Sequence, residues 1–174
     1  KINIPSEVAY VFAIITLAFA VAMITMTGFG VSMVVAPAYI LSQKVSFLTF
    51  GQSEYVIQSI LFIIFCILMK KVKAVYFSAF LTCILYGAVL DLWRLVPVFN
   101  QNITSSDDFS IATRIVFFAL GMLLTALAIA LFFKTYLYPQ VYDFFVKGVS
   151  EKFGFNRTIT KTCFDASCLL LGTI

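Results

Sequence analysis

The chain has 174 residues, of which 62% are hydrophobic and 11% are charged, and its mean hydropathy is +1.04. A soluble domain carries roughly 25% charged residues, so an ordinary soluble protein is excluded, and long apolar runs argue against a β-barrel. The net charge of +4 does not indicate nucleic-acid binding, because the basic residues lie in short loops between apolar runs. We therefore predict an all-α, polytopic transmembrane helical bundle with the lipid bilayer as its partner.

Several kinds of chemistry are absent from the sequence. The chain contains no histidine, and its four cysteines lie in apolar runs without a CxxC pair. Histidine metal sites, haem ligation by histidine and histidine general-base catalysis are therefore excluded. With few carboxylates and no nucleophile–base pair, we expect no enzymatic activity, no cofactor and no metal site.

Five apolar runs predict helices over approximately residues 5–27, 52–69, 74–96, 109–133 and 157–174. Glu7 suits the positive end of the first helix, and Ser106 or Asp107 can cap the fourth. Residues 134–156 carry an apolar stripe at helical spacing among charges, which predicts a helix lying in the membrane interface. Because the chain begins with Lys1 and stops at Ile174 inside an apolar run, we expect a longer native protein with at least one more helix.

The segment Gly28–Ser42 interrupts the apolar pattern between the first two long helices. Gly28 and Gly30 permit a sharp break, Ser32 adds a hydroxyl, and Pro37 lacks a backbone N–H. Irregular backbone is tolerated at membrane depth only where protein covers it or water fills a cavity. We predict a re-entrant or broken-helix segment that lines a site; the alternative is an extramembrane loop.

Polar residues inside apolar helices are the other candidates for a site, since such positions are costly in lipid. Glu54 and Gln58 are four apart and share a helix face, where they could bind a cation, a proton or a polar substrate. Glu54 could instead lie near water at the start of its helix. The tentative substrate-binding residues are Gly28, Gly30, Ser32, Pro37, Glu54, Gln58, Asp91, Arg94 and Asp165.

Each of the remaining charges also has a structural reading. Asp91 and Arg94 are three apart, so they could form a local ion pair near the outer interface, or Arg94 could anchor an anionic solute. Asp165 could relay a proton or pair with Lys161, four residues earlier on the same face.

An internal repeat is a further hypothesis. The chain is read as one transmembrane domain, residues 1–174, with repeat halves 1–96 and 109–174, the second half cut short. In each half a long helix, a proline-containing segment and another helix follow one another, and Gln58 falls near the position of Asp165. Three helices between the copies would invert one relative to the other, as in many transporters.

The distribution of basic residues predicts the orientation of the chain. Nine of the twelve Lys and Arg residues fall on the side of the N-terminus. Because cytoplasmic loops carry the excess of positive charge, we expect a multipass plasma-membrane protein with its N-terminus in the cytoplasm and the loop 100–108 outside.

The motifs together resemble one family. Gly28-Phe29-Gly30-Val31-Ser32, then Ala36-Pro37-Ala38-Tyr39-Ile40-Leu41-Ser42 and the polar start of the second long helix with Gln58, are similar to the YczE/YyaS/YitT group of bacterial integral membrane proteins. Lys161-Thr162-Cys163-Phe164-Asp165, and Gly87 with Asp91, fit the same group. The resemblance implies a multipass protein without an established biochemical activity.

Two hypotheses of function follow. The first is a secondary transporter or permease for a small polar or anionic solute. The second is a non-transporting membrane scaffold or regulator of a partner protein, for which an exposed stripe of Ala18, Ala22 and Met26 beside Gly28 would serve a partner helix.

Overall fold

The computed structural model describes residues 5–70, 74–101, 103–135 and 140–173. Within these residues the fold is all-α and without strands, as predicted. The helices are α1 (Ser6–Met26), α2 (Ala36–Lys44), α3 (Phe50–Met69), α4 (Ala74–Arg94), α5 (Ile111–Phe132), α6 (Val141–Phe153) and α7 (Arg157–Thr173). Of these, α1, α3, α4 and α5 are long and apolar enough to cross a membrane. The predicted fifth helix, α7, is present but is not among those four.

Two features of the sequence hypotheses lie outside the described residues. These are Lys1, Lys71 and Lys73, which count among the basic residues that predict the orientation, and Pro139, the proline of the second repeat half.

The predicted break after the first helix is confirmed, and it holds a short helix. Gly28 and Gly30 have φ of 67° and 114°, a left-handed backbone conformation that favours glycine. The Thr27 hydroxyl donates to the Ile24 carbonyl and accepts the Phe29 N–H, which ties off the end of α1. Pro37 lies in the first turn of α2, where a missing N–H costs no hydrogen bond.

Helix α3 begins earlier than predicted because of its cap. The Thr49 side chain accepts the Gln52 N–H, and the Gln52 side chain accepts the Thr49 N–H. This capping box satisfies two backbone donors at the helix start. As a result, the first turn of α3 starts at Phe50 and Glu54 lies in its second turn, away from the helix end.

The predicted cap of the fourth long helix was wrong. Ser106 and Asp107 belong to a separate 3-10 turn, Ser106–Asp108, which Ser105 caps by accepting the Asp107 N–H. The N-cap of α5 is Ser110, whose side chain makes no capping bond. Several consecutive polar residues can serve as caps here, and the earlier ones in the chain belong to the 3-10 turn rather than to the start of α5.

The chain divides into two compact units, and α4 contributes to both. Unit 1 comprises Lys1–Val31 and Leu85–Leu137, and unit 2 comprises Ser32–Ile84 and Tyr138–Ile174. Each unit therefore contains one earlier and one later segment of the chain. The compact units do not coincide with the proposed repeat halves, 1–96 and 109–174.

In unit 1, α1 packs along α5. A methyl group added at Gly121 of α5 would lie 2.6 Å from Cγ1 of Ile24 and 3.2 Å from the Ala20 carbonyl oxygen. Small residues at such a crossing let two helix backbones approach closely, which is how membrane helices gain packing energy. Tyr10 on α1 and Phe132 on α5 add an edge-to-face ring contact near the other end.

In unit 2, α2 packs on α3 and α7, and α6 packs on α3 and α7. The core of the unit includes Phe65, Ala79, Cys83, Val141 and Phe144. The apolar stripe of α6, which predicts a helix in the membrane interface, packs against protein, with Val141 0% and Phe144 5% exposed. Gly148 permits this packing, because an added methyl group there would overlap the Phe65 ring, so α6 sits directly on α3.

Candidate functional site

The candidate site of unit 2 is a buried polar cluster on α3. Glu54 and Gln58 are both 0% exposed, although α3 is one of the helices able to cross a membrane. Gln58 Nε2 donates a hydrogen bond of 2.9 Å to Glu54 Oε2. The four-residue spacing thus joins the two side chains directly, as their shared helix face predicted.

Helix α6 supplies the rest of the cluster through its first turn. The Tyr142 hydroxyl donates to Glu54 Oε2 over 3.0 Å, and the Val141 N–H donates to Gln58 Oε1 over 3.3 Å. The N-cap residue of α6, Gln140, makes no capping bond with its side chain. Gln58 therefore acts as the cap of α6 from another helix, and the positive end of the α6 dipole points at the cluster.

One side of the cluster has unused hydrogen-bonding capacity. Glu54 Oε1 and Ser53 Oγ are buried and have no hydrogen-bond partner among the residues that the structure describes. None of the ion pairs found in the described part of the chain includes Glu54. Buried polar atoms are nearly always paired, so two such atoms on neighbouring residues mark a place where a small ligand would find partners.

Two members of this cluster were not predicted as site residues. Tyr142 and Ser53 show no pattern of their own in the sequence, because one lies in an amphipathic run and the other among small polar residues. The available signal was the proposed repeat, which places the start of α6 in the same structural role as the start of α2. Hydrophobic periodicity alone gives no tertiary partner for Glu54.

The glycine segment is held by a different residue, Arg114 of α5 in unit 1. Arg114 Nε donates a hydrogen bond of 2.6 Å to the Thr27 carbonyl, and its guanidinium lies 4.9 Å from the centre of the Phe29 ring. A methyl group added at Gly28 would lie 2.8 Å from Arg114 Nη2. Gly28 therefore provides both the left-handed turn and the room for the arginine.

Arg94 and Asp91 also lie in unit 1. Arg94 Nη2 donates to Gln101 Oε1 over 3.1 Å, and Gln101 Nε2 donates to the Thr25 carbonyl over 3.0 Å. These bonds tie the polar loop to the last turn of α1 and satisfy a carbonyl that the helix leaves open. Ser32 and Pro37 belong to unit 2, where the Ser32 carbonyl accepts from Val35 and Ala36 at the start of α2.

Asp165 lines a separate open cleft of about 480 Å³ between α6 and α7. Its predicted partner, Lys161, pairs with Asp143 of α6 at 3.4 Å instead. Asp165 Oδ1 is buried without a hydrogen-bond partner. The other residues lining the cleft are Val146, Lys147, Arg157, Thr158 and Thr162.

The structure thus brings together two of the nine predicted site residues, Glu54 and Gln58, and adds Ser53 and Tyr142. In the described residues, no three His, Cys, Asp or Glu side chains lie where they could hold a metal ion. The cluster offers hydrogen-bond donors and acceptors and one carboxyl group, a group that is chemically able to take up a proton or a cation.

Comparison with known proteins places the chain in a family but assigns no activity. Neither a curated protein nor a solved structure matches the sequence. A family model described as "Family of unknown function (DUF6198)" matches residues 4–174, nearly the whole chain, and the protein therefore belongs to this family.

Proposed function

We propose that the protein is a secondary transporter or permease for a small polar solute, with Ser53, Glu54, Gln58 and Tyr142 as its central site. The observation that carries this proposal is the fully buried carboxyl group of Glu54 in the second turn of an apolar helix. Ionisable groups inside a membrane are costly and are found where they serve substrate or ion pathways. Apolar packing would hold the helices together at a lower free-energy cost than a buried carboxyl group does.

The short helices support a transporter architecture. Both α2 and α6 follow an interruption of the chain, and the first turn of α6 contacts the buried Gln58 and Glu54. In secondary transporters, interrupted helices present their free ends to substrate near the middle of the membrane. The start of α6 has this character, since the Val141 N–H in its first turn donates to the Gln58 side chain of the site.

The order of packing supports the inverted repeat. Helices α1, α2 and α3 would correspond to α5, α6 and α7, with α4 between the copies. Within unit 2, α2 packs on α7 while α3 packs on α6, which is the reciprocal pairing that a two-fold relation requires. Gln58 lies eight residues after the start of α3 at Phe50, and Asp165 lies eight residues after the start of α7 at Arg157.

The charge of the site favours a neutral polar or cationic solute over an anionic one. Glu54 contributes a carboxyl group, and none of the ion pairs of the described chain supplies it with a cation. Whenever the Glu54 carboxyl group is ionised, an anion placed beside it would meet like charge in a low-dielectric setting, at a cost of several kcal/mol by order of magnitude.

The scaffold hypothesis loses the feature that was expected to support it. Ala18 and Ala22 are 0% exposed and Met26 is 1% exposed, so this stripe is already covered within the chain. A partner helix would have to use another surface. We therefore place transport first.

A thermal-shift screen of the full chain in detergent tests the proposal. The panel comprises amino acids, nucleobases, small amines and small organic anions. A ligand that binds only the folded protein raises the melting temperature by mass action. We expect a hit that is lost in Glu54→Gln and kept in Glu151→Gln, a matched change at an exposed ion pair. No hit across the panel, with folding confirmed by circular dichroism, would reject the proposal.

The orientation and the compartment are proposed with the function. We propose a bacterial plasma membrane, kinship with the YczE/YyaS/YitT group and a cytoplasmic N-terminus, on the motifs and charge distribution of the sequence. In a Cys163→Ser background, Ile103→Cys should react with an impermeant maleimide in whole cells, and Phe155→Cys should react only after lysis. Both side chains are exposed. The reverse labelling would refute this orientation.

A further inference from the structure

We propose that Glu54 is the proton-binding site of this protein and carries the coupling proton of the transport cycle, an inference that rests on the proposed function and names its coupling ion. In the described conformation the carboxyl group is neutral, with its proton on Oε1. When the site opens to water, the proton leaves Oε1 for solvent and the carboxylate remains until a proton returns.

The first argument is the absence of a counter-charge around a buried carboxyl group. Glu54 is 0% exposed and belongs to none of the ion pairs of the described residues. An isolated carboxylate in a low-dielectric interior costs so much free energy that such a group takes up a proton instead. A neutral acid is the form of Glu54 that this burial tolerates.

The second argument is the unequal use of the two carboxyl oxygens. Oε2 accepts two hydrogen bonds, from Gln58 Nε2 at 2.9 Å and from the Tyr142 hydroxyl at 3.0 Å, as a carbonyl oxygen would. Oε1 accepts none. Oε2 therefore corresponds to the carbonyl oxygen of a neutral acid, and Oε1 corresponds to the hydroxyl oxygen that carries the proton.

Within the described residues, no charged side chain forms an ion pair with Glu54. From α6, the group that reaches it is Tyr142; Asp143 on the same helix is exposed and pairs with Lys161. From α4, the buried thiol is that of Cys83. The charged residue of α2, Lys44, is exposed in the last turn of that helix.

A metal cation fits the site less well than a proton. Hard metal cations take about six oxygen ligands. Gln58 Oε1 and Glu54 Oε2 are already engaged in hydrogen bonds, and the cluster leaves Glu54 Oε1 and Ser53 Oγ without partners. A proton requires a single oxygen.

Infrared spectroscopy of the full chain in lipid nanodiscs tests the proposal directly. At pH 7 we expect a carbonyl stretching band of a protonated carboxyl group, which shifts on exchange into deuterium oxide. The band should be lost in Glu54→Gln and kept in Glu151→Gln, whose side chain is half exposed. A spectrum without the band, or a band that stays in Glu54→Gln, overturns the proposal.

A second pair of variants keeps the test valid even if Glu54→Gln does not fold. Tyr142→Phe removes one hydrogen bond from Oε2, so the band should move to higher frequency. Tyr55→Phe is the matched control. Tyr55 lies beside Glu54 on α3, but its hydroxyl donates to the Ile84 carbonyl. A band that moves in neither variant, or equally in both, contradicts the assignment to Glu54.

The failure of this inference is distinguishable from the failure of the proposed function. Absence of the carboxyl band from the unsubstituted protein, together with a solute-induced rise in its melting temperature, rejects the proton and retains transport. A sodium-dependent rise in melting temperature that vanishes in Glu54→Gln, with choline as the control cation, also overturns the proton and makes sodium the coupling ion.

Discussion

Replacing Gln58 by methionine is the most informative test of the buried cluster. The two side chains are similar in length, so the substitution removes polar atoms while filling most of the space. Gln58 donates to Glu54 Oε2 and accepts from the Val141 N–H. The thioether of methionine has no proton to donate and is a weak acceptor, so it replaces neither hydrogen bond. The change therefore removes one hydrogen bond within α3 and one between α3 and α6.

The magnitude follows from these two bonds. A hydrogen bond inside a membrane protein contributes about 0.6 kcal/mol on average and rarely more than about 1.7 kcal/mol. In addition, the Val141 N–H would be buried without a partner, at a cost of about 1–3 kcal/mol, because Val141 is 0% exposed. We expect Gln58→Met to lower the free energy of unfolding by about 2–4 kcal/mol.

The measurement is reversible unfolding in mixed micelles, followed by far-ultraviolet circular dichroism. Gln52→Met on the same helix is the matched control, since Gln52 is exposed and serves only the capping box. That substitution should lower the free energy of unfolding by less than about 1 kcal/mol. Equal effects of the two substitutions would refute the view that the buried cluster joins α6 to α3.

Further substitutions test the packing of each unit. Gly148→Ala should lower the free energy of unfolding by about 1–3 kcal/mol, because its methyl group meets the Phe65 ring, and Phe65→Leu should restore part of that loss; a neutral Gly148→Ala would contradict the close contact. Arg114→Gln should cost about 1–2 kcal/mol through the bond to the α1 carbonyl, whereas Arg157→Gln, in an exposed pair, should cost at most about 0.5 kcal/mol. Comparable melting temperatures for the two arginine variants would show that Arg114 does not hold the glycine turn.

The long helices were predictable because their signal is local. Apolar runs of about twenty residues, ended by glycine or by basic residues, placed α1, α3, α4 and α5 within a few residues of their observed bounds. The break at Gly28 and the start of α2 near Pro37 were also local, since positive φ and a missing N–H are properties of the residues themselves. Caps were predicted less well, because neighbouring Ser, Thr and Asp residues compete for the same role.

The site was only half predictable, since its other half depends on contacts distant in the chain. Spacing placed Glu54 and Gln58 on one face of a helix, but their partners Tyr142 and Val141 are more than eighty residues away. Asp165 shows the same limit: Lys161 stood at the right spacing, yet it pairs across to Asp143 on α6. Local spacing says which side chains can meet, and helix packing decides which of them do.

The sequence by itself determined the class of this protein: an all-α membrane protein with a broken segment after its first helix. It could do so because lipid requires each spanning segment to satisfy its own backbone hydrogen bonds. The tertiary structure alone decided that α6 packs on α3, and that Glu54 is buried outside every ion pair of the described residues. Those outcomes depend on how closely two helices approach at Gly148, a distance that no local pattern encodes.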